Sequence, residues 1–488
     1  MEFPMSSTAI MWFRNDLRLH DNPALIAALE HEQVIPLYIH APEEAEPYAP
    51  GEASCWWLKQ SLESLETALQ EKFNLTLQIR SGSSLAAIQN LIDLHDVESV
   101  YWNRRYEPAL RRVDENIKKM LNADGLQVKS FNGSLIFEPW EIENQQGDPY
   151  RVFTPFYKRA VQMPSLPLQQ LPDRQVTTFV QVGSKNLTIA DLFLTSTFRW
   201  YNKFEGQWAI GEDAAHDRLM EFVNDDISIY KDKRDRLADH ATSRLSAHLH
   251  FGEISPRQIL HVTQQYKHDQ NERNDGAIEA FERQLFWRDF GHHLLYHYPQ
   301  TQDDVFNQKY TNFPWQHDDE LLQKWQRGET GIPLVDAGMR ELWATGSMHN
   351  RARMIVASFL TKNLGLHWLD GARWFWNTLV DADLANNTLG WQWSAGCGAD
   401  ASPYYRIFNP VTQGQRFDAN GDYIRRWLPE LAHLPNKIIH APWQASTNDR
   451  PSDKSDTLSP DYPEPIVDLA ESRKLALERY GAWKDNAP

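Results

Sequence analysis

Three hydroxyls and a guanidinium stand together in Thr242-Ser243-Arg244-Leu245-Ser246, just ahead of a stretch with helical patterning. Hydroxyls and free backbone N–H groups at a helix start suit a pyrophosphate. An ordinary N-cap followed by an exposed arginine fits the same residues. Residues 277–298 read as a helix on which Gln284, Trp287 and Arg288 fall at i, i+3 and i+4 and share a face, leaving Ile278, Phe281, Leu285 and Leu294 for the core. An amide, an indole and a guanidinium on one face can hold a nucleobase, and a solvated edge with a half-buried Trp is the alternative. His293 and His297 lie at i, i+4 on the same helix. No H-E-x-x-H follows and no third ligand is apparent, so no metal is expected.

Gly346-Ser347-Met348-His349-Asn350-Arg351-Ala352-Arg353-Met354 opens another apolar helix, with Asn350 and Met354 on one face and Arg351 and Arg353 pointing in different directions around the axis. One arginine can reach a phosphate while the other pairs with a buried acid; two surface arginines on a core helix fit equally. Asp381-Ala382-Asp383-Leu384-Ala385-Asn386-Asn387-Thr388 sets two acids and two amides before Gly390-Trp391-Gln392-Trp393. Asx capping of a turn accounts for these residues, and Ca²⁺-loop spacing is missing. No Ser-His-Asp order or paired carboxylates can be identified from spacing.

The elements that must position these groups fall into two kinds. Segments 8–13, 34–39, 75–80, 97–103 and 126–131 are short, apolar and rich in β-branched or aromatic residues, and read as buried strands. Helical stretches separate them, among them one striped by Leu58, Leu62, Leu65 and Leu69, and one begun by Asp21-Asn22-Pro23. This alternation predicts a Rossmann-like parallel sheet with helices on both faces. No G-x-G-x-x-G follows the first strand, which runs instead into Arg14-Asn15-Asp16, so a standard dinucleotide site there is disfavoured. Pro149, Pro155, Pro164, Pro167 and Pro172 mark a long connector crossing the surface of the second domain. From about residue 211 helical periodicity dominates, broken by a Pro-, Ser- and Asp-rich excursion at 444–465 and resumed in a last helix near 466–480. The expected domains are 1–140 (α/β), 141–210 (connector) and 211–488 (all-α).

The 488 residues carry a formal charge of −17, which argues against a nonspecific nucleic-acid coat. Residues 331–430 nevertheless hold nine Lys+Arg and nine Asp+Glu, so a locally basic face can form there. Two cysteines, Cys55 and Cys397, exclude an iron–sulfur cluster, an all-Cys zinc site and a disulfide framework. The absence of a long apolar run excludes a membrane helix. Met1-Glu2-Phe3-Pro4 shows no secretory signal, so a reducing cytoplasm is expected. Of 19 Trp, seven fall between Trp343 and Trp427, for which core packing is the default account.

Taken together, several segments resemble the photolyase/cryptochrome family. They are Met11-Trp12-Phe13-Arg14-Asn15-Asp16-Leu17-Arg18, the Thr242–Ser246 run, Phe286-Trp287-Arg288-Asp289-Phe290, Met348-His349-Asn350-Arg351, Asn386-Asn387-Thr388-Leu389-Gly390-Trp391-Gln392-Trp393 and Tyr404-Tyr405-Arg406-Ile407-Phe408-Asn409-Pro410. They occur in the family's order from about residue 8 to about 445. The resemblance implies an α/β antenna domain joined to an all-α domain that holds folded FAD, and light-driven repair of cyclobutane pyrimidine dimers in DNA by electron transfer from excited reduced FAD, with a cryptochrome-like photoreceptor without repair activity as the alternative. A light-independent flavin oxidoreductase is disfavoured because no nicotinamide signature is present.

Residue by residue, the resemblance implies FAD contacts at Tyr230, Thr242, Ser243, Leu245, Ser246 and Asp383, an ion pair Arg353–Asp381 along the isoalloxazine edge, and Asn387 at flavin N5. Gln284, Trp287, Asn350, Met354 and Trp393 would form the lesion pocket, with Arg351 and Arg406 on the DNA backbone. Trp391, Trp368 and Trp315 would form the chain that photoreduces the flavin, while Trp374 and Trp376 read as core. Asn350 and Met354 stand where a 6-4 photolyase would carry histidines, and Asn387 and Trp393 where plant cryptochromes tend to have Asp and Tyr. These residues, and the missing signalling tail, favour dimer repair. Gln284 departs from the Glu of many class I photolyases, and His248-Leu249-His250-Phe251-Gly252-Glu253-Ile254-Ser255 is more similar to class III. Class III members suggest 5,10-methenyltetrahydrofolate as antenna, with Glu107 able to hydrogen-bond a pterin-like ring; a solvated acid beside basic neighbours is the competing account of Glu107. A monomer is expected.

Overall fold

The computed structural model describes residues 7–164, 166–172, 186–192, 194, 198–269, 274–401, 405–445 and 462–486. Met1-Glu2-Phe3-Pro4, Tyr404, part of the proline-marked connector and most of the 444–465 excursion lie outside the described residues.

The five expected strands form: β1 (Thr8–Phe13), β2 (Gln33–His40), β3 (Gln78–Ser81), β4 (Val97–Asn103) and β5 (Gln127–Phe131). Their order is β3-β2-β1-β4-β5 and all pairings are parallel. The period-2 alternation of β1 explains its two-sided burial. Ala9, Met11 and Phe13 enter one core with the leucine stripe of α2 (Glu52–Phe73), while Ile10 and Trp12 enter the other. Four helices cover the sheet: α1 (Pro23–Ala28), α2, α3 (Ser84–His95) and α4 (Pro108–Ala123). Asn22 caps α1 by accepting from Leu25 N, with Pro23 in the first turn. The strand order places a topological switch point between β1 and β4, where ligand crevices open in such sheets.

The connector is more than a surface strap. It forms α5 (Phe153–Ala160), whose Phe153 and Phe156 enter the helical core, and it sends Ile189, Leu192, Trp200, Tyr201 and Phe204 into the core on the α2 face of the sheet. Proline spacing misses this because the apolar residues between the prolines carry the packing.

The remaining helices are α6 (Glu212–Glu221), α7 (Tyr230–Lys233), α8 (Ser246–Phe251), α9 (Pro256–Asp269), α10 (Asp275–His297), α11 (Asp319–Arg327), α12 (Pro333–Thr345), α13 (Asn350–Ser358), α14 (Trp368–Thr378), α15 (Leu384–Ala395), α16 (Pro410–Phe417), α17 (Asp422–Trp427) and α18 (Leu469–Asn486). No named strand occurs among the described residues after 131.

The two halves are clasped where the α8–α9 turn meets the loop after β1. The buried Arg18 guanidinium donates to His20 O, Gly252 O, Asp21 O and Gly133 O at 2.7–2.9 Å. Glu212 accepts from Leu19 N and His20 N, and Glu253 accepts from Trp57 Nε1 and pairs with His248. Asp21 holds Ser255 and Arg257. The motif His248–Ser255 is therefore interface architecture. Gly252 sits at φ +67° with an added Cβ only 2.2 Å from Asn15 O, a place for glycine alone. Gly252→Ala is expected to lower stability by roughly 1–3 kcal/mol, read as an earlier thermal unfolding transition; an unchanged transition would contradict the clasp.

Candidate active site

The loop from α14 into α15 and the start of α13 build the centre of the site. Arg353 donates through Nε to Met348 O at 2.8 Å and pairs through Nη2 with Asp381 at 2.9 Å. The pair closes across 28 residues. Asp383 caps α15, its Oδ1 accepting from Asn386 N and Nδ2 at 2.8 and 2.7 Å. Asn387 donates through Nδ2 to Ala372 O at 3.0 Å, which fixes its amide plane. α14 and α15 approach closely because Gly371 has no side chain; a Cβ there would lie 2.1 Å from the Trp391 ring.

The hydroxyl-rich loop leads into α8. Thr242 and Ser243 are half-buried and Ser246 is exposed, while the Leu245 side chain is 1% exposed in the core. Only the Leu245 backbone can therefore face a ligand. Arg218 props the loop by donating to Ser243 O at 2.9 Å and Thr242 O at 3.4 Å. Arg244 takes φ +55° and lies over Trp208. Tyr230 packs edge-on against Phe222 and Phe281, which roots its ring under α10.

The tryptophans grade from surface to interior. Trp315 is half-buried, Trp368 is fully buried and Trp391 is 2% exposed. His367 fills the space between the first two, with ring centroids 5.4 Å from Trp315 and 5.8 Å from Trp368. The indole N–H groups of Trp368 and Trp391 are buried without a protein acceptor. Trp374 and Trp376 are half-buried at the seam: Trp374 stacks on Trp343, which stacks on Trp200, and Trp376 donates to Ala49 O.

The remaining expected groups each have contacts of their own in the helical region. Asn350 is exposed with Met354 beside it, Asn350 Nδ2 lying 3.9 Å from the Met354 sulfur. Arg406 lies over the half-buried Trp393. Arg351 pairs with Asp235 at 2.7 Å and rests on Phe417. Gln284 Nε2 donates back to Ala280 O at 2.9 Å. Trp287 is stacked on Phe153 at 3.6 Å between centroids, so one face of its ring is occupied by protein. The Arg288 guanidinium ends away from the Gln284 amide: its Nη1 donates to Ser134 O at 2.6 Å in the interdomain cleft. His293 sits between Pro139 O and Tyr150 O, and His297 faces Pro139 O, which is a structural use of both rings.

That cleft lies at the switch point between β1 and β4, lined on the sheet side by Asn15, Asp16, Asn103 and Glu107 and on the helical side by His250, His292 and Asp383. Glu107 also accepts from Tyr106 N at 3.0 Å. Burial works against the Asp383 carboxylate, but the charge and hydrogen bond of His292, with Arg288 and His250 beyond, hold its pKa below the ordinary carboxylate range. Burial pushes the His349 imidazole down to about 4, consistent with its Nδ1 accepting from Arg351 N. Sequence reasoning missed Phe153, Arg218, Asp235, Phe417 and His292, because each partner is distant along the chain and only His292, five residues past Trp287, carries a local hint.

The half-buried hydroxyls of Thr242 and Ser243, the fixed Asn387 carboxamide and the Arg353–Asp381 pair are the polar groups this region offers a ligand. Residues 9–173 match the family described as DNA photolyase, and residues 281–482 match the FAD binding domain of DNA photolyase. A deoxyribodipyrimidine photo-lyase of Agrobacterium fabrum is 43% identical over 98% of both chains. Cryptochrome-1 of Arabidopsis thaliana is 37% identical over 95% of this chain and 69% of its own length. The crystal structure of a class III photolyase from Agrobacterium tumefaciens superposes with a TM-score of 0.93 at 41% identity over 99% of both chains, and that of a Synechocystis cryptochrome with 0.86 at 30% over 98% of this chain and 100% of the other. The chain belongs to the photolyase/cryptochrome family, and it carries that family's FAD-binding domain.

The Arg353–Asp381 pair generates a direct expectation. Asp381→Asn leaves the partly buried guanidinium without its counter-charge and should weaken FAD retention about tenfold, or about 1.4 kcal/mol. Flavin-to-protein absorbance after dialysis measures it; full retention would remove the pair from the site.

Proposed function

We propose that this chain repairs cyclobutane pyrimidine dimers in DNA under light, as a deoxyribodipyrimidine photo-lyase of the class III type. The observation that carries the reading is the near-complete match in sequence and fold to photolyases, with the DNA photolyase and FAD-binding regions both present. Bound reduced FAD supplies the electron that splits the cyclobutane ring and takes it back.

The chain's own residues hold and orient. Thr242, Ser243, Ser246 and the Leu245 backbone would bind the FAD phosphates and ribityl chain, with Tyr230 and Asp383 beside them. Arg353 and Asp381 would fix the isoalloxazine edge, and Asn387 would present a neutral amide to N5. Asn350, Met354, Trp393, Gln284 and the free face of Trp287 would receive a dimer taken out of the stack, whose weakened pairing lowers the cost of extrusion. Met354 offers an apolar, polarisable contact with no proton to give. Trp391, Trp368 and Trp315 would carry electrons inward to regenerate the reduced flavin. The antenna we propose is 5,10-methenyltetrahydrofolate, with Glu107 on the polar cleft between the halves hydrogen-bonding its ring. No described helix is long and apolar enough to cross a membrane; a cytoplasmic monomer acting on DNA is the setting we propose.

The deciding experiment mixes fully reduced holoprotein with an oligonucleotide bearing one cis-syn thymine dimer, lit and dark. Light-dependent return of two thymines is expected. No return with flavin bound and reduced would favour the cryptochrome-like light sensor, to which the Arabidopsis relative gives weight; processing of 6-4 products alone would overturn the substrate. Arg351 meets phosphates only by exchanging Asp235 for them. Arg351→Ala should weaken binding to damaged duplex and lower the slope of log K against log salt by about 1, measured by titration across salt concentrations.

A further inference from the structure

The cleft at the sheet's switch point holds His292, a buried histidine with no task in the reading above, paired with Asp383. His292 is 5% exposed, and both ring nitrogens face acceptors. Nδ1 lies 3.1 Å from Arg288 O and Nε2 3.2 Å from Asp383 Oδ2. A neutral imidazole donates from one nitrogen only, so this geometry is satisfied by the imidazolium.

The surroundings are charged but balanced. From its own helix, Arg288 and Asp289 face the ring, and burial raises the Asp289 carboxyl to about 6. From the sheet domain Tyr106 meets it edge-on at 6.0 Å, with the Tyr106 hydroxyl on Glu138 and Glu138 neutralised by Arg104. Asp16 and Glu107 line the sheet side of the same cleft, and His250 faces it from α8, its pKa lowered by burial. Asp383 makes the direct contact. Burial opposes the His292 imidazolium, but the charge and hydrogen bond of Asp383 outweigh it, and the ring's pKa is raised above the ordinary histidine value.

Asp383 also belongs to the flavin side. It caps α15, and its carbonyl accepts from Asn387 N at 2.8 Å, one turn before the amide assigned to flavin N5. Asn387 has no proton to give. On the FAD reading above, reduction to the anion would add negative charge near the Asp383 carboxylate, and the titratable group tied to that carboxylate is His292.

We propose that His292 is a redox-linked proton site, taking up a proton from solvent in the interdomain cleft when the bound flavin becomes the reduced anion. The inference rests on the FAD reading above. The balance is simple: an external two-electron donor, the electrode in the test below, gives the flavin two electrons, the flavin takes one proton, and the imidazole takes one further proton from water to become the imidazolium. Linkage gives the sign. If reduction raises the affinity of His292 for a proton, then between its pKa with oxidised flavin and its higher pKa with reduced flavin the protein binds one extra proton per flavin reduced. Because the folded pKa is already raised, that window lies on the alkaline side of the ordinary histidine range. His292 acts through Asp383 and is a positioning residue.

The test is the flavin midpoint potential against pH, with protons counted by an indicator dye during electrochemical reduction, for the parent holoprotein, His292→Gln and His292→Arg. The parent is expected to show a steeper segment on the alkaline side, with one extra proton taken up. Both variants should lose that segment. His292→Arg should keep a potential near the parent's acid limb, and His292→Gln should lie below it throughout, because Asp383 is left without a counter-charge. A parent profile with no steeper segment, or an identical profile in His292→Gln, would overturn the proposal. If His292→Gln does not hold flavin, the parent and His292→Arg profiles decide alone. A parent protein that refuses FAD overturns the underlying reading, whereas a holoprotein with one straight profile overturns this inference only.

Discussion

The clasp between the loop after β1 and the α8–α9 turn is the constraint on which the other features depend. A fully buried guanidinium, Arg18, has all its bonds to backbone carbonyls drawn from both halves of the chain. Such a group is tolerable in an interior only when nearly every donor is met. Each bond therefore fixes a distance between the sheet and the helical region. Gly252 sets how close they come. With that spacing fixed, the switch-point crevice of the sheet is roofed by α10 and the start of α15, and the polar cleft between the halves becomes a defined chamber.

The helical region repeats the same economy at closer range. Gly371 brings α14 against α15, which seats Trp391 without its N–H being met and lets Ala372 O hold Asn387. The Arg353–Asp381 pair ties the start of α13 to the turn before α15. One rigid corner thus presents a carboxamide, a guanidinium and a carboxylate together. Preorganised groups of this kind lose little freedom when a ligand arrives.

Much of this was legible in the sequence. Strands form at all five expected places, and the inner ones do so because buried parallel strands must be apolar on both faces; β3 takes only the second half of its apolar run, and the edge strand β5 has Gln127 and Lys129 exposed. The helix over 277–298 and the capped start at Asn22 follow from periodicity and cap chemistry. The Arg353–Asp381 pairing came only from resemblance, since no local pattern joins residues 28 apart. Where the Arg288 guanidinium ends is not legible in the sequence, because i, i+3 and i+4 spacing fixes where a side chain leaves a helix, not where a long side chain finishes. The Phe153–Trp287 stack, the Asp235–Arg351 pair and the core role of the connector all join distant segments, and their residues look ordinary in isolation.

Under the proposed function, the Arg351–Asp235 pair has a kinetic meaning. A cation matched by an acid 2.7 Å away presents a dipole to a distant duplex, and salt screens such a field within about a Debye length, roughly 10 Å. With a net charge of −17 behind it, Arg351 would exert little pull from afar. Encounters with DNA should then be brief collisions rather than long one-dimensional slides, each ending quickly unless the helix is already loosened enough for a phosphate to displace Asp235. Such a protein would sample many positions by hopping and dwell only where the duplex is damaged.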